Sequence, residues 1–217
     1  DDCAALLRLA AETVDATRLT HRGRSCDPFL PPERLTVADA FRNLAGIDLL
    51  ATLPADPAAA PDRDGLAAQA RAADIRVGDD DGWSDVFSRV LADRIEPRLG
   101  DGRAVILTEY PSCEAALARR SPRDPRVAER FELWACGVEL ANAFGELTDP
   151  VEQRRRFRFE MDEKERIYGE RYPIDEDFLA ALPLMPPTSG IALGFDRLVM
   201  LALGAPRLAD VMWTPEG

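Results

Sequence analysis

The spacing of apolar residues changes near residue 103 and divides the chain into two parts. Before this point, apolar positions recur every three or four residues in several short segments, the spacing typical of amphipathic helices. After it, AVILTEYP at 104–111 is a continuous apolar run, which is typical of a buried strand. The pattern predicts a helical segment over 1–102 and a mixed region over 103–217, within one domain overall.

Residues that commonly cap helices precede four of the predicted helices. They are Thr36 before VADAFRNLAG, Ser84 before DVFSRVLADRIEPRLG, Ser112 before CEAALARR, and Asp149 before a long charged helix that starts at Pro150. A further helix, FDRLVMLALG, is predicted to end at Gly204. These helices accompany four predicted strands, near 104–110, 130–136, 138–145 and 188–194. The pattern therefore predicts an α+β fold.

The two middle strands form a predicted hairpin rich in acid, RFELWACGVELANAFGEL, with Cys136-Gly137 at a possible turn. With the turn centred near Ala135-Cys136, Glu132 and Glu139 would lie opposite each other. Like charges directly opposite destabilise a sheet, so a divalent metal or a cationic ligand would have to offset them. The alternative is an exposed acidic edge in an acidic protein, and the hairpin alone leaves both interpretations open.

Strict alternation along the second strand raises a geometric difficulty. It places Glu139 on one face and both Asn142 and Glu146 on the other. For all three to share a site, the strand must bulge or turn near Ala141–Gly145. Bulges do gather near active sites.

A second stretch, Gly190-Ile-Ala-Leu-Gly194-Phe-Asp-Arg197, combines small residues with one cation. Because Gly190, Ala192 and Gly194 alternate, one face of the strand carries almost no side chain, which often marks the close approach of a ligand. Arg197 falls in the first turn of the next helix, where it can reach a phosphate or stack on a base. Tight packing of the helix on the strand is the alternative.

Composition restricts the class of protein. The formal charge of −12 over 217 residues argues against an extended phosphate-binding surface. The four cysteines and the single His21 make no zinc signature, so free thiols in a reducing, cytoplasmic setting are expected. No apolar run approaches the ~20 residues needed to span a bilayer.

Taken together, the two stretches resemble the C-terminal half of the catalytic domain of class II aminoacyl-tRNA synthetases. GIALGFDRLVML is similar to the third signature motif of that class, and RFELWACGVELANAFGELTDP resembles its lysyl branch. Within this branch, ELAN, ELTDP, PIDEDFLAAL and DRLVMLALGA are most similar to the paralogues that attach (R)-β-lysine to elongation factor P. The resemblance is continuous over 103–213 and looser before residue 100. It implies an antiparallel sheet flanked by helices, with a helical insertion in the N-terminal half.

The resemblance also implies roles for individual residues. Glu132 and Glu139 would hold magnesium ions that bridge the ATP phosphates, and Glu139 with Leu140 would touch ATP. Gly194 and Arg197 would contact the nucleotide, with Arg197 and Glu139 closest to the chemistry. The amino acid would be bound by three residues. They are Asn142, Glu146 and Ala192, the last of which would favour β-lysine over α-lysine.

The implied enzyme is an AMP-forming ligase that uses ATP and Mg²⁺, takes lysine or β-lysine, and transfers it to a lysine of elongation factor P. The first two signature motifs are expected upstream of Asp1, so the chain is interpreted as truncated, inactive alone, and a possible homodimer through the missing part. A tRNA acceptor is disfavoured by the absence of an anticodon-binding module, and a membrane is not expected. Two alternatives are a tRNA-charging lysyl enzyme and a non-catalytic, synthetase-like binding protein.

Overall fold

The computed structural model describes residues 1–56, 59–115 and 117–214 and has an α+β fold with two sheets. The described strands are β1 (Leu19–His21), β2 (Arg24–Asp27), β3 (Glu33–Thr36), β4 (Gly102–Arg103), β5 (Val105–Pro111), β6 (Val127–Ala135), β7 (Val138–Gly145) and β8 (Ser189–Leu193). The larger sheet has the strand order β3-β5-β6-β7-β8, and the smaller has the order β1-β2-β4. This confirms the predicted fold class.

Helices surround the larger sheet. The described α-helices are α1 (Asp2–Thr13), α2 (Val37–Ala40), α3 (Arg63–Ala72), α4 (Trp83–Val90), α5 (Pro150–Tyr168), α6 (Glu176–Ala181) and α7 (Phe195–Leu203). Two π-helical segments, Phe41–Ala45 and Leu91–Ile95, directly continue α2 and α4. Short 3₁₀ segments lie at Leu49–Thr52, Glu96–Arg98, Ser112–Glu114, Leu182–Leu184 and Leu208–Asp210.

The N-terminal hundred residues are not purely helical, contrary to the prediction. They contain the antiparallel hairpin β1–β2, and β3 pairs in parallel with β5 at the edge of the larger sheet. The pairs β5–β6, β6–β7 and β7–β8 are antiparallel, as expected. Because β3 extends the larger sheet, the two parts of the chain share one structural framework.

Each face of the larger sheet packs against a different hydrophobic core. One core joins β5 and Trp134 to buried residues of α3, α4 and α2 with its π-helical continuation, including Leu66, Phe87 and Phe41. The other lies on the opposite face and joins Leu133 and Ala141 to α1, α7 and the smaller sheet. The helices of the first core cover β3 and β5, so this face is open toward β7 and β8.

The capping predictions were partly correct. The Thr36 side chain accepts from the Asp39 N–H, and Asp149 accepts from the N–H groups at the start of α5. Gly204 ends α7 in the left-handed conformation. The prediction for Ser84 was wrong, because α4 begins earlier, after Gly82.

The predicted helix after Ser112 was also wrong over the described residues. A 3₁₀ turn at Ser112–Glu114 gives way to extended chain, in which Ala118 and Arg120 form isolated bridges with Glu146 and Ala128. Ala116, within the predicted helix, lies outside the described residues. The bridges give the backbone of this segment partners on the neighbouring strands, which a helix would not reach.

Among the described helices, none has the length and apolar character that crossing a bilayer requires. All four cysteines are free thiols, as predicted.

Candidate functional site

The hairpin β6–β7 turns at Cys136-Gly137. Both residues have left-handed backbone angles, with φ of 54° and 72°, which is the requirement of a two-residue type I′ turn. The left-handed backbone angle favours glycine at Gly137, and a side chain there would also displace the Arg24 guanidinium. The turn therefore lies one residue later than the predicted centre at Ala135-Cys136.

The predicted opposition of Glu132 and Glu139 is wrong. Glu132 pairs with Asn142, and Glu139 pairs with Trp134. The cause is the later turn together with one extra residue, Leu140, between the Trp134–Glu139 and Leu133–Ala141 pairs. The two glutamates nevertheless share a face. Glu132 and Trp134 are two residues apart on β6 and so point to the same side, and Glu139 is on that side because it pairs with Trp134.

The bulge at Leu140 removes the difficulty raised by strict alternation. Leu140 and Ala141 are consecutive, yet both are buried in the same core on the opposite face. Glu139 therefore comes to the same face as Asn142, and regular alternation beyond Ala141 brings Glu146 there too. A shared site was expected to need a bulge or turn near Ala141–Gly145, and the observed bulge at Leu140 is next to that range.

Glu132 is almost completely buried, with 8% of its surface exposed. Its Oε1 accepts from Arg130 Nη2 at 2.8 Å, and its Oε2 accepts from Trp134 Nε1 at 3.1 Å. Burial, followed by the nearby Glu132 carboxylate, raises the pKa of Tyr110. Glu132 is thus a fixed carboxylate within a polar group that borders the apolar core.

Glu139 is more accessible and meets the cation predicted for the site. Arg197 Nη1 donates to the Glu139 carbonyl oxygen at 2.9 Å and lies 3.4 Å from its Oε2. Burial, and then the charge of Glu132, raises the pKa of Glu139, while Arg197 opposes this shift. A further cation beside Glu139 would relieve the same repulsion.

Strand β8 completes the face on its other side. Ala192 pairs with Asn142, and Gly190 pairs with Phe144. A Cβ atom at Gly190 would come within 2.7 Å of Glu146 Oε1, so the Glu146 side chain lies over that glycine. The Gly194 N–H donates to the Leu140 carbonyl at 2.8 Å, which joins the start of α7 to the bulge.

Asn142 supplies an unusual signal. Its Oδ1 atom is buried and accepts no hydrogen bond from the described residues. A buried polar atom without a partner is costly, which makes the absence of a donor informative. The atom lies on the face that also carries Glu139 and Glu146, so a ligand donor, such as an ammonium, would satisfy it there.

Sequence reasoning missed several polar residues around this face. Glu96 follows the π-helical end of α4, and its pKa is raised by burial and by the charges of Glu132 and Glu139. Arg130 places its guanidinium carbon 4.3 Å from the centroid of the Tyr110 ring. The Arg130-x-Glu132 spacing could have indicated the contact between these two side chains, since alternate strand residues share a face. No sequence pattern indicated that Glu96 lies near the hairpin carboxylates.

The donor set fits magnesium bound chiefly through phosphates. Within 1–56, 59–115 and 117–214 there is no cluster of three or more His, Cys, Asp or Glu residues able to hold a metal by itself. Magnesium is usually bound through one or two carboxylates together with substrate phosphates, rather than in a protein cage. Glu132 and Glu139 lie on one face, where the charge of Glu132 contributes to raising the pKa of Glu139, and they could supply two such carboxylates.

Comparison with known proteins identifies the class. The family of class II tRNA synthetases (D, K and N) matches residues 9–216, and the chain belongs to that family.

Individual relatives are of two kinds. The chain is 38% identical to a lysine–tRNA ligase of Dehalococcoides mccartyi over 190 residues, which is 86% of this chain and 36% of the relative. It is 38% identical over 183 residues to an elongation factor P–(R)-β-lysine ligase of Haemophilus influenzae, covering 84% of this chain and 54% of the relative. The corresponding ligase of Edwardsiella ictaluri is 52% identical over 121 residues, 54% of this chain and 37% of the relative. The chain thus spans about a third to a half of the length of these curated relatives.

Proposed function

We propose that the chain carries part of an ATP-dependent ligase that activates lysine or β-lysine as an adenylate and transfers it to a lysine of elongation factor P. The substrate carboxylate would attack the α-phosphorus of ATP, forming the aminoacyl-adenylate and releasing pyrophosphate. The ε-amine of the acceptor lysine would then attack the carbonyl and release AMP. Little covalent chemistry falls to the protein, so its contribution is positioning and neutralisation of charge.

Each residue of the face has a part in this proposal. Glu132 and Glu139 would hold magnesium, which when bound neutralises the phosphates. Arg197 would lie against the nucleotide, close to the backbone at Gly194 and to the bulge at Leu140. Three residues would bind the amino acid. They are Glu146 for the ammonium, Asn142 for orientation, and Ala192, whose methyl group would narrow the pocket.

One observation carries the proposal. The bulge at Leu140 brings Asn142 to the open face that already carries Glu132 and Glu139, with Arg197 in contact with Glu139. Without that bulge Asn142 would lie on the face opposite the two carboxylates, and its unpartnered oxygen could not meet the same ligand. The similarity to a lysine–tRNA ligase and to an elongation factor P–(R)-β-lysine ligase supports lysine or β-lysine as the substrate class.

The metal assignment is tested by ligand-induced stabilisation. ATP with Mg²⁺ at about 100 times the dissociation constant is expected to stabilise the chain by about 2.7 kcal/mol, because the ligand binds the folded state alone. Glu139→Ala is expected to abolish the shift in melting temperature. Glu129→Ala is the matched control, since Glu129 has a similarly exposed side chain (35% against 33%) and also pairs with an arginine, but through Arg119. Equal shifts in both variants would refute the assignment.

The first alternative is a tRNA-charging lysyl enzyme, which the lysine–tRNA ligase relatives support. Aminoacylation of tRNA with lysine, measured beside modification of elongation factor P, separates the two acceptors. The charge of −12 and the methyl group of Ala192 favour the protein acceptor. Charging without any modification of elongation factor P would establish the alternative.

The second alternative is a non-catalytic protein that binds a nucleotide, an amino acid or a partner. We propose that the chain alone does not complete the reaction, because residues 1–100 contain no Arg-x-Glu pattern followed by a basic loop and a Pro-Glu-Phe run. ATP–pyrophosphate exchange is therefore expected to be absent from the isolated 217 residues. Robust exchange would mean that those elements are dispensable.

The same proposal includes the setting of the reaction. Four free cysteine thiols fit a reducing cytoplasm. A homodimer formed through further chain belongs to the proposal as well, and analytical ultracentrifugation of this chain beside a longer one would test it.

A further inference from the structure

We propose that Arg130 is a positioning residue that fixes the direction of the Glu132 carboxylate on the open face. The inference rests on the proposed function in one respect, since Glu132 is there one of the two carboxylates assigned to magnesium. Arg130 itself touches neither ATP nor the amino acid in this proposal. It acts through the carboxylate that it holds.

The guanidinium of Arg130 is held on several sides. Its Nη2 donates to Glu132 Oε1 at 2.8 Å, and its Nη1 donates to the Glu114 carbonyl oxygen at 2.6 Å. Its carbon lies 4.3 Å from the ring centroid of Tyr110 and 5.7 Å from that of Phe144. Only 17% of the side chain is exposed. Two hydrogen bonds fix the fork and two aromatic rings restrict its plane, so the cation has little freedom to turn.

Because Arg130 is held in place, the Glu132 carboxylate that it binds is held in place as well. Its second oxygen accepts from Trp134 Nε1 at 3.1 Å, so each carboxylate oxygen has a fixed nitrogen donor, and the Tyr110 hydroxyl interacts with the same carboxylate. An ionised carboxylate offers about four acceptor positions, and two fixed donors leave the others pointing in set directions. A cation that approaches this face must therefore meet Glu132 in a geometry that Arg130 and Trp134 determine.

Stability alone does not explain the arrangement. Replacing a buried ion pair by apolar side chains of similar volume is often neutral or favourable, so the pair is weak evidence of a stabilising role. The apolar core beside it, with Leu107 and Trp134, would accept such side chains. The planar fork of arginine instead supplies orientation, and the pair lies where the covered part of the face meets the open part.

Tryptophan indole resonances provide a test that needs no ligand. The three indole N–H groups differ in environment, because Trp134 donates to Glu132, Trp83 donates to Thr52 at 3.2 Å, and Trp213 is 97% exposed. In ¹⁵N-labelled protein, Trp134→Phe assigns the first signal. Arg130→Met is expected to shift or broaden the Trp134 indole signal, because Glu132 loses its other anchor, while the Trp83 signal stays in place.

Matched variants separate orientation from general damage. Arg126→Met removes another partly buried arginine, which also pairs with a carboxylate (Asp124) and a backbone carbonyl (Leu50), and it is expected to leave the Trp134 signal unchanged. Arg130→Lys keeps the charge without the fork, so a smaller shift of the same signal is expected even if the methionine variant does not fold. A Trp134 signal that stays unmoved in Arg130→Lys and in any folded Arg130→Met protein, or that moves together with Trp83, overturns the proposal.

Manganese distinguishes this inference from the proposed function. In the presence of saturating ATP, Mn²⁺ bound at Glu132 and Glu139 is expected to broaden the Trp134 indole signal of the wild-type chain. Under the same conditions Arg130→Met is expected to raise the Mn²⁺ concentration for half-broadening by about tenfold or more, as for other residues that orient a metal ligand. Absence of broadening in the wild type would overturn the metal site and leave the ligand-free test of Arg130 to decide its role. Broadening with an unchanged midpoint in Arg130→Met would overturn the positioning role.

Discussion

The two halves of one sheet face contrast sharply in this molecule. Toward β3 and β5 the face is covered by α2–α4 and contributes Leu107 and Val105 to an apolar core. Toward β7 and β8 the same face carries Glu139 and Asn142 beside Ala192 and is open. Glu132, on the central strand, lies at the boundary between them. The contrast separates the packing of this face, which lies in the covered half, from its polar side chains, which lie at the boundary and in the open half.

The largest expected effect comes from breaking the covered half. Phe41 is completely buried and stacks on Phe87 at 5.2 Å between ring centroids. Phe41→Ala is expected to lower the free energy of unfolding by about 3–5 kcal/mol, because it leaves a cavity in the core. Urea denaturation measures this. Phe159→Ala, at an aromatic side chain that is 56% exposed, is the matched control and is expected to change stability by less than about 1 kcal/mol. Similar losses in both would remove the distinction between covered and open surface.

A smaller, different effect is expected in the open half. Ala192→Gly removes one methyl group from the face that carries Asn142 and is expected to cost no more than roughly 1 kcal/mol of stability. On the proposed function it should strengthen binding of α-lysine by about tenfold, the usual worth of one methyl-sized difference in a pocket. Calorimetric titration with α-lysine and (R)-β-lysine measures the preference. Ile191→Val is the control, because the Ile191 side chain points to the opposite face. An unchanged preference in Ala192→Gly would show that Ala192 does not select between the two amino acids.

The smallest expected effect concerns the junction of the two halves. The Glu114 side chain accepts from Ser84 Oγ at 2.5 Å, and its backbone carbonyl accepts from Arg130. Burial, opposed by the Ser84 hydrogen bond and reinforced by Glu160, raises the pKa of Glu114 above 4.5. A carboxyl whose pKa is raised on folding binds its proton more tightly in the native state, so it costs stability as pH rises from about 4.5 through the folded pKa.

Glu114→Gln should remove that component of the pH dependence. Urea midpoints between pH 4 and pH 8 are therefore expected to fall less with rising pH in the variant than in the wild type. Parallel curves for the two proteins would show that Glu114 ionises as it does in the unfolded chain.

Local signals in the sequence were sufficient for some elements and insufficient for others. Thr36 and Asp149 mark helix starts because a capping side chain acts on its own next few residues. The strand β3, with the sequence ERLT, carries no apolar run, and only its pairing with β5 makes it a strand. Glu96 reaches the carboxylates of the hairpin through the tertiary fold, so its sequence neighbours give no sign of that contact.

The candidate site was predictable in composition but not in register. The acidic hairpin and the small-residue strand were recognisable from residue types and spacing. The pairing of Glu132 with Asn142, in contrast, depends on a turn displaced by one residue and on a bulge at Leu140. The turn depends on the left-handed backbone angles of Cys136 and Gly137, and the bulge accompanies burial of Leu140 on the opposite face of the sheet. A rule of strict alternation includes neither effect.

The bulge at Leu140 also affects how homologous sequences should be aligned. Leu140 and Ala141 both face the core, so the alternation of inward and outward residues shifts by one at this point. Glu139 and Asn142 therefore lie on the same face although their residue numbers differ by three. An alignment that assumes strict alternation of inward and outward residues would therefore be out of register beyond Leu140. A relative that lacks one residue between these two positions would have a regular strand with both side chains still on the same face, and the gap would record a lost bulge, not a lost site.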